Sequence, residues 1–369
     1  MRTRKRTVSP RTAGFTMVEL LVGSAVMLIA VLGALLLYSR SNMVSVEQQM
    51  VTEVQSDVRS SMYFVTRDLR MAGVGLPEEF GGYFIEGTDN EDQNGAEVTP
   101  DRVKIMGNME DPLNLPIRNY QGSSVVLDIY DFSFEQYPYP DAYYANQTVI
   151  VLPNPDSGCV AGEIRICTHV THSTGGANER FNFSPGLAPG IDPPGGLSGT
   201  CPVSNDYDGG TVSFIDVKEY WLDVTGNYPG LTAGVNGYIG GGEGGILYCT
   251  HNGIHLPIAR NIENFQAEYN GDMDNDLMLD GWSPWQAGWP ISQTSRVQQV
   301  RVWILGRTPQ AFTSVGGHVP GANPVQIYRR PAVSNTVASA ADDMHKRYLL
   351  DSTSNVRNLS LSIYNYGQR

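Results

Sequence analysis

The sequence predicts an α+β fold, one long N-terminal helix laid on antiparallel β-sheet with long loop insertions. Two observations carry this. Leu20 to Tyr38 holds no charged residue and runs without a proline into a stripe of Met43, Val46, Met50, Val54, Val58, Met62, Val65 and Leu69, the spacing of one helical face. From residue 76 to 369 the chain instead alternates short β-type runs with Gly, Pro, Asn and Asp clusters, and helical periodicity is scarce.

Taken in order, residues 1–14 form a short basic leader carrying Arg2, Arg4, Lys5, Arg6 and Arg11. The apolar run that follows, at about 1.5 Å per residue, nearly spans a ~30 Å hydrocarbon core, so residues 15–39 read as a transmembrane half-helix. The basic excess on its N-terminal side keeps the leader in the cytoplasm and sends the rest outward. Residues 40–72 form the amphipathic half, which Gly73, Gly75 and Pro77 terminate. A helix from about Phe15 to about Met71 would be ~85 Å long. Its Val and Met stripe lacks a strict heptad, so packing on the chain's own outer domain is preferred to a homo-oligomeric coiled coil.

Residues 73–369 form a β-rich outer domain. Strands are expected near Val103–Ile105, Ser124–Tyr130, Thr148–Leu152, Glu163–His169, Val212–Val224, Gly245–Thr250, Ile262–Tyr269, Val297–Leu305, Gln326–Tyr328 and Asn355–Ile363. Two Gly-rich stretches, 173–208 and 226–245, read as insertions outside the sheet. The GGGEGG string in the second is no phosphate loop, since no Lys-Ser or Lys-Thr follows it.

With 40 Gly, 22 Pro and 41% hydrophobic residues in 369, the chain is loop-rich yet able to pack a core. Its net charge of −13 makes nucleic acid a poor partner, because phosphate binding needs clustered Lys and Arg. No H-E-x-x-H helix, G-x-S-x-G elbow or acid–base pair stands out, and no enzymatic activity is expected.

Cys159, Cys167, Cys201 and Cys249 all fall in the outer domain, where thiols tend to be oxidised, so two disulfides are expected. Three connectivities are open; close spacing favours Cys159 with Cys167 and Cys201 with Cys249. No CxxC supports zinc, and the pairs His169/His172 and His251/His255 sit in Thr-, Gly- and Asn-rich company that suits solvated histidines. In Gly271–Asp280, carboxylates at Asp272, Asp274 and Asp276 occupy alternate positions of a turn, with Asp280 at the place of a ninth-position ligand, a pattern suited to Ca²⁺. Leu277 replaces the usual turn glycine and Trp282 the usual closing Glu. The acidic loop from Asp89 to Glu97 reads as merely solvated.

Two features depart from an ordinary secretory signal. The small residue, Gly14, precedes the apolar run rather than following it, and a carboxylate, Glu19, lies inside the span, where an acid usually has a partner. The string Gly14-Phe15-Thr16-Met17-Val18-Glu19-Leu20-Leu21-Val22 resembles the class III signal of type IV prepilins and pseudopilins. The resemblance implies a pilin-like fold, cleavage between Gly14 and Phe15 by prepilin peptidase, N-methylation of Phe15, and an assembly role for Glu19 opposite a neighbour's ammonium. Major pilins often carry a kinking proline where this chain has Leu36.

The segments Ala259–Tyr269 and Gln299–Arg307, with Asp342–Arg347 and Val356–Leu359, look like those of PilW-like minor pilins. The middle, 76–257, matches little. The family likeness implies a minor pilin of a type IV pilus in an initiating or tip complex, with other minor pilins, a major pilin, an inner-membrane assembly platform and a large tip adhesin as partners. Before assembly it would sit single-pass in the inner membrane with its outer domain in the periplasm, and afterwards on the pilus at the cell surface. A J-type minor pseudopilin of type II secretion and a surface-tethered adhesive module are the alternatives.

Overall fold

The computed structural model describes residues 14–76, 84–90, 99–110, 114–129, 144–145, 147–157, 159, 162–172, 178–183, 197, 206–224, 245–310, 330–339 and 345–356. Helix α1 (Met17–Met71) starts at Thr16, whose extended backbone and side chain cap it. It ends where Gly73 and Gly75 take positive φ of 76°, a backbone that side chains with a Cβ resist. The Gly73 N–H then bonds Met106 O at 2.7 Å and Asn108 N–H bonds Val74 O at 2.7 Å, which stitches the helix end to the sheet.

Thirteen strands follow among the described residues: β1 (Ile85–Thr88), β2 (Arg102–Gly107), β3 (Asn114–Tyr120), β4 (Ser124–Leu127), β5 (Thr148–Leu152), β6 (Glu163–Ile166), β7 (His169–His172), β8 (Glu179–Asn182), β9 (Thr211–Asp223), β10 (Gly245–His251), β11 (Ile254–Gly271), β12 (Val297–Arg307) and β13 (Arg347–Asn355). A single helical turn, α2 (Ile291–Thr294), precedes β12. The pairings are antiparallel and fall into two sets that share β9. Its C-terminal half lies between β2 and β10 in the order β1-β2-β9-β10-β11-β12-β13. Its N-terminal half lies between β5 and β3 in the order β6-β5-β9-β3-β4-β8-β7.

Two cores result, and they do not divide strictly by set, because Ile150 of β5 and Ile164 of β6 join the first. The first packs Val103, Ile105, Ile262, Phe265, Val300, Val302 and Ile304 beneath Val54, Val58, Met62, Val65 and Leu69 of α1. The second encloses Val125, Leu127, Tyr144, Val149, Phe181 and Phe214. Helix and sheet touch most closely at Gly306, where a Cβ would lie 2.6 Å from methyls of both Val54 and Val58.

The expected stripe is thus half covered. Val54 onward is buried, while Met43 and Val46 stay exposed below the domain. The segment 173–208 is not wholly outside the sheet as expected, because β8 lies in it and Leu197 and Tyr207 are buried in the second core. The final described strand is β13, earlier than the Asn355–Ile363 expected. The expectations at Gln326–Tyr328, at 226–245 except Gly245, and beyond Val356 lie outside the described residues.

Candidate functional site

The N-terminal end of α1 is open on every side. Phe15 is 85% exposed and a Cβ at Gly14 would meet nothing within 4 Å, so nothing in this fold requires glycine there. Glu19 sits in the first turn, and its carboxylate accepts from Thr16 N–H at 3.0 Å and from the Thr16 hydroxyl at 2.9 Å. Thr16 Oγ in turn accepts from Glu19 N–H at 3.3 Å, completing a reciprocal cap. The partner that sequence reasoning sought for Glu19 in a neighbouring subunit is supplied here, in the single chain, by its own helix start. Around it Met17, Leu20, Leu21, Leu28 and Ile29 are exposed, and the most apolar window of α1 has mean hydropathy 2.7 with none of it buried.

The acidic turn brings Asp272, Asp274 and Asp276 together, with one carboxylate oxygen from each within 4.8 Å of the others. Backbone N–H groups set this geometry. Asp272 accepts from Asp276 and Leu277, and Asp274 from Asp276. Asp280 instead turns to the N–H groups of Met273 and Asp274, at 2.6 and 3.2 Å, closing the loop rather than joining the three oxygens. Leu277 adopts φ 70°, supplying without glycine the left-handed step that such a turn needs. The Asp274 carboxyl is held above the ordinary range by desolvation, with the charges of Asp276, Asp280 and Asp272 adding to it against an Asp276 N–H bond. A hard cation at the three oxygens would relieve that repulsion.

The cysteines correct the expectation of two disulfides. Cys159 is disulfide-bonded, while Cys167 and Cys249 are buried free thiols, so neither Cys159–Cys167 nor Cys201–Cys249 forms. Cys159 and Cys167 both pack at the second core without being joined, and Cys249 lies on β10 in the helix-side core. Burial pushes the Cys167 and Cys249 thiols up to about 12 and about 11 respectively. Cys201 lies outside the described residues.

A group that sequence reasoning did not assemble sits where α1 meets β9. Asp68 of α1, 1% exposed, accepts from Tyr220 OH at 2.7 Å and pairs with Lys218 Nζ at 3.1 Å and with Arg67 at 2.7 Å. Lys218 reaches on to Glu110 at 2.6 Å. Beside it His251 Nε2 lies 3.0 Å from Asp216 Oδ1, and Asp216 Oδ2 accepts from the N–H groups of Met109 and Glu110, each at 2.8 Å. Burial would raise Asp216, but the His251 bond and those two N–H groups outweigh it and hold the carboxyl below its ordinary value. Of the flagged histidine pairs, His255 bonds Thr250 Oγ at 2.7 Å and His169 lies 3.1 Å from Thr168 Oγ. Long sequence separation hid the Glu110, Asp216 and His251 grouping, since the segment after β2, the middle of β9 and the end of β10 supply one residue each.

The prokaryotic N-terminal methylation motif matches residues 9–35 of the chain. Neither the curated proteins nor the solved structures return a match. The matched motif brackets Gly14, Phe15 and Glu19 and the exposed apolar start of α1, and it supports a type IV pilin-like prepilin, processed by prepilin peptidase, anchored through its helix and assembled with other pilins.

Proposed function

We propose that this chain is a minor pilin, cleaved between Gly14 and Phe15, methylated on Phe15, and inserted through α1 into an initiating or tip complex of a type IV pilus. One observation carries the reading. The apolar half of α1 is wholly exposed while its other end is docked on the sheet, so the helix offers a long face that only a bilayer or neighbouring helices can cover. The domain it bears is large, and occupancy of every position in a thin filament would crowd it, which favours a minor place. Its role is structural rather than enzymatic. The partners follow from that place: other minor pilins, a major pilin, the inner-membrane assembly platform and a large tip adhesin. Glu19 provides the intersubunit charge. The Asp272, Asp274 and Asp276 turn is the Ca²⁺ loop of the outer domain, since hard Ca²⁺ takes carboxylate oxygens gathered in this way.

The test is expression with and without a prepilin peptidase, followed by mass spectrometry of the N-terminal peptide. A mature N-terminus at methyl-Phe15 and recovery of the chain in sheared pilus fractions with other pilins are expected. Retention of residues 1–14 in peptidase-competent cells, or absence of the processed chain from those fractions, would overturn the reading.

A further inference from the structure

The second acid-bearing group is chemically unlike the first, because it includes an imidazole. Glu110, Asp216 and His251 each offer one ligand atom within 4.8 Å of the others. We propose that they form a binding site for a single divalent cation of the Zn²⁺ class, independent of the pilin reading.

Four observations converge on it. The donor set, one imidazole nitrogen and two carboxylate oxygens, is one that Zn²⁺ takes with a fourth position for water. Charge leaves room for a cation: Asp68, Glu110 and Asp216 face Arg67 and Lys218, and the third positive charge is His251 only when protonated, so an ion on the neutral imidazole would take that place. Geometry is prepared, because the Met109 and Glu110 N–H groups fix Asp216 through Oδ2 and leave Oδ1 directed at His251. The 3.0 Å separation of that oxygen from Nε2 is close to the ~3.3 Å between neighbouring ligands of a tetrahedral ion with ~2.0 Å bonds. Access is open through Glu110, whose side chain is 51% exposed and lies 3.9 Å from Nδ1, the other ring nitrogen, so its carboxylate must leave Lys218 and turn to reach an ion held on Nε2. A bound cation would join the segment after β2 to the middle of β9 and the end of β10, beside the Lys218–Asp68 pair that holds α1.

The experiment uses the full chain in detergent, stripped with chelator and titrated with Zn²⁺ against a chromophoric competitor. One site per chain is expected, undisplaced by millimolar Ca²⁺. Even outer-shell partners are worth about 10- to 100-fold in metal affinity, so His251→Gln and Asp216→Asn should each lose about 100-fold or more. Asp274→Ala should leave Zn²⁺ binding unchanged. Circular dichroism and the urea midpoint in chelator check each variant's fold, and His251→Gln, on a partly exposed side chain, decides the matter if Asp216→Asn is misfolded. Absence of stoichiometric Zn²⁺ binding, or wild-type affinity in folded His251→Gln, would overturn the proposal.

Discussion

Glu19 is asked to do two things, cap its own helix and compensate a neighbour's ammonium, and two substitutions separate them. Glu19→Val removes both. Glu19→Gln keeps an acceptor for the Thr16 N–H and hydroxyl, now 3.0 and 2.9 Å away, while removing the charge, because Gln also serves at this position of a capping box. Thr16 is the N-cap and keeps its own bond to the N–H at position 19 in either variant, so loss of the Glu19 half alone leaves the helix start capped. A carboxylate opposite an ammonium among apolar helices is a charge-assisted pair, which the neutral amide of Gln cannot replace. Both variants should therefore be membrane-inserted and cleaved, and both should be depleted from sheared pili by about tenfold or more, the effect of a lost charge-assisted pair worth about 1.5–3 kcal/mol in general, as read by quantitative immunoblot. Wild-type assembly of Glu19→Gln beside failure of Glu19→Val would show that the cap matters and the charge does not.

Gly306→Ala should cost about 1–3 kcal/mol by overpacking against Val54 and Val58, whose methyls lie 2.6 Å from the new Cβ; adding Val58→Ala should recover part of it, and strict additivity in urea melts would refute the contact. Alkylation of the denatured, unreduced chain should label Cys167 and Cys249 but not Cys159, which should label only after reduction; protection of Cys167 or Cys249 in the denatured chain would refute this. The chain should melt higher in millimolar Ca²⁺ than in chelator, and a hundredfold excess over Kd corresponds to about 2.7 kcal/mol; Asp274→Ala should abolish the difference, and an unchanged wild-type melting temperature rejects calcium at the turn. Asp101 is raised from 3.8 to about 7, by burial first and by Asp89, against N–H bonds from Asn90 and Ala267. Its folded form holds a proton that the unfolded chain loses, so stability should fall as pH rises from about 4 to about 7, by roughly 4 kcal/mol in all. The same fall in Asp101→Asn would place it elsewhere.

The helix was legible because its signals are local. An uncharged run, a stripe at steps of three and four, and two glycines that take positive φ all lie within one stretch of chain. Strand β5 was legible too, at Thr148–Leu152, since a run of β-branched residues bounded by Gln147 and Pro153 needs no tertiary information. Other strands break their own patterns. Pro116 sits inside β3 and pairs with Thr211, and β8 turns Glu179 inward, at 0% exposed, where an apolar residue would have announced a strand. The β10–β11 hairpin carries Asn252-Gly253 at φ 47° and 83°, the strongest short-range hairpin signal, yet Pro257 and the left-handed Asn261 in the first half of β11 disguise the strand that follows. Met43 and Val46 of the stripe point at no protein because the domain packs its core on α1 only from Val54 onward.

The division of β9 explains why the middle of the chain can diverge while the helix docking is kept. Among the described residues, the strand pairing between the two sets passes through β9 alone, with Thr211–Ile215 paired to β5 and Asp216–Asp223 to β2 and β10. The apolar residues of the second core, Leu115 to Phe214, lie off the layer that holds α1, although Ile150 of β5 and Ile164 of β6 pack into that layer and must be kept along with the register of β9. That register is set on the helix side by buried polar bonds rather than by apolar contact alone. Tyr220 and Lys218 reach Asp68 from alternate positions on the same face of β9. A slip of one residue would turn both to the opposite face and leave a buried carboxylate with only Arg67, a loss of the order of 3–5 kcal/mol. The helix-bearing sheet thus specifies the strand from which the second lobe is built, and the second lobe is free to vary in what it presents.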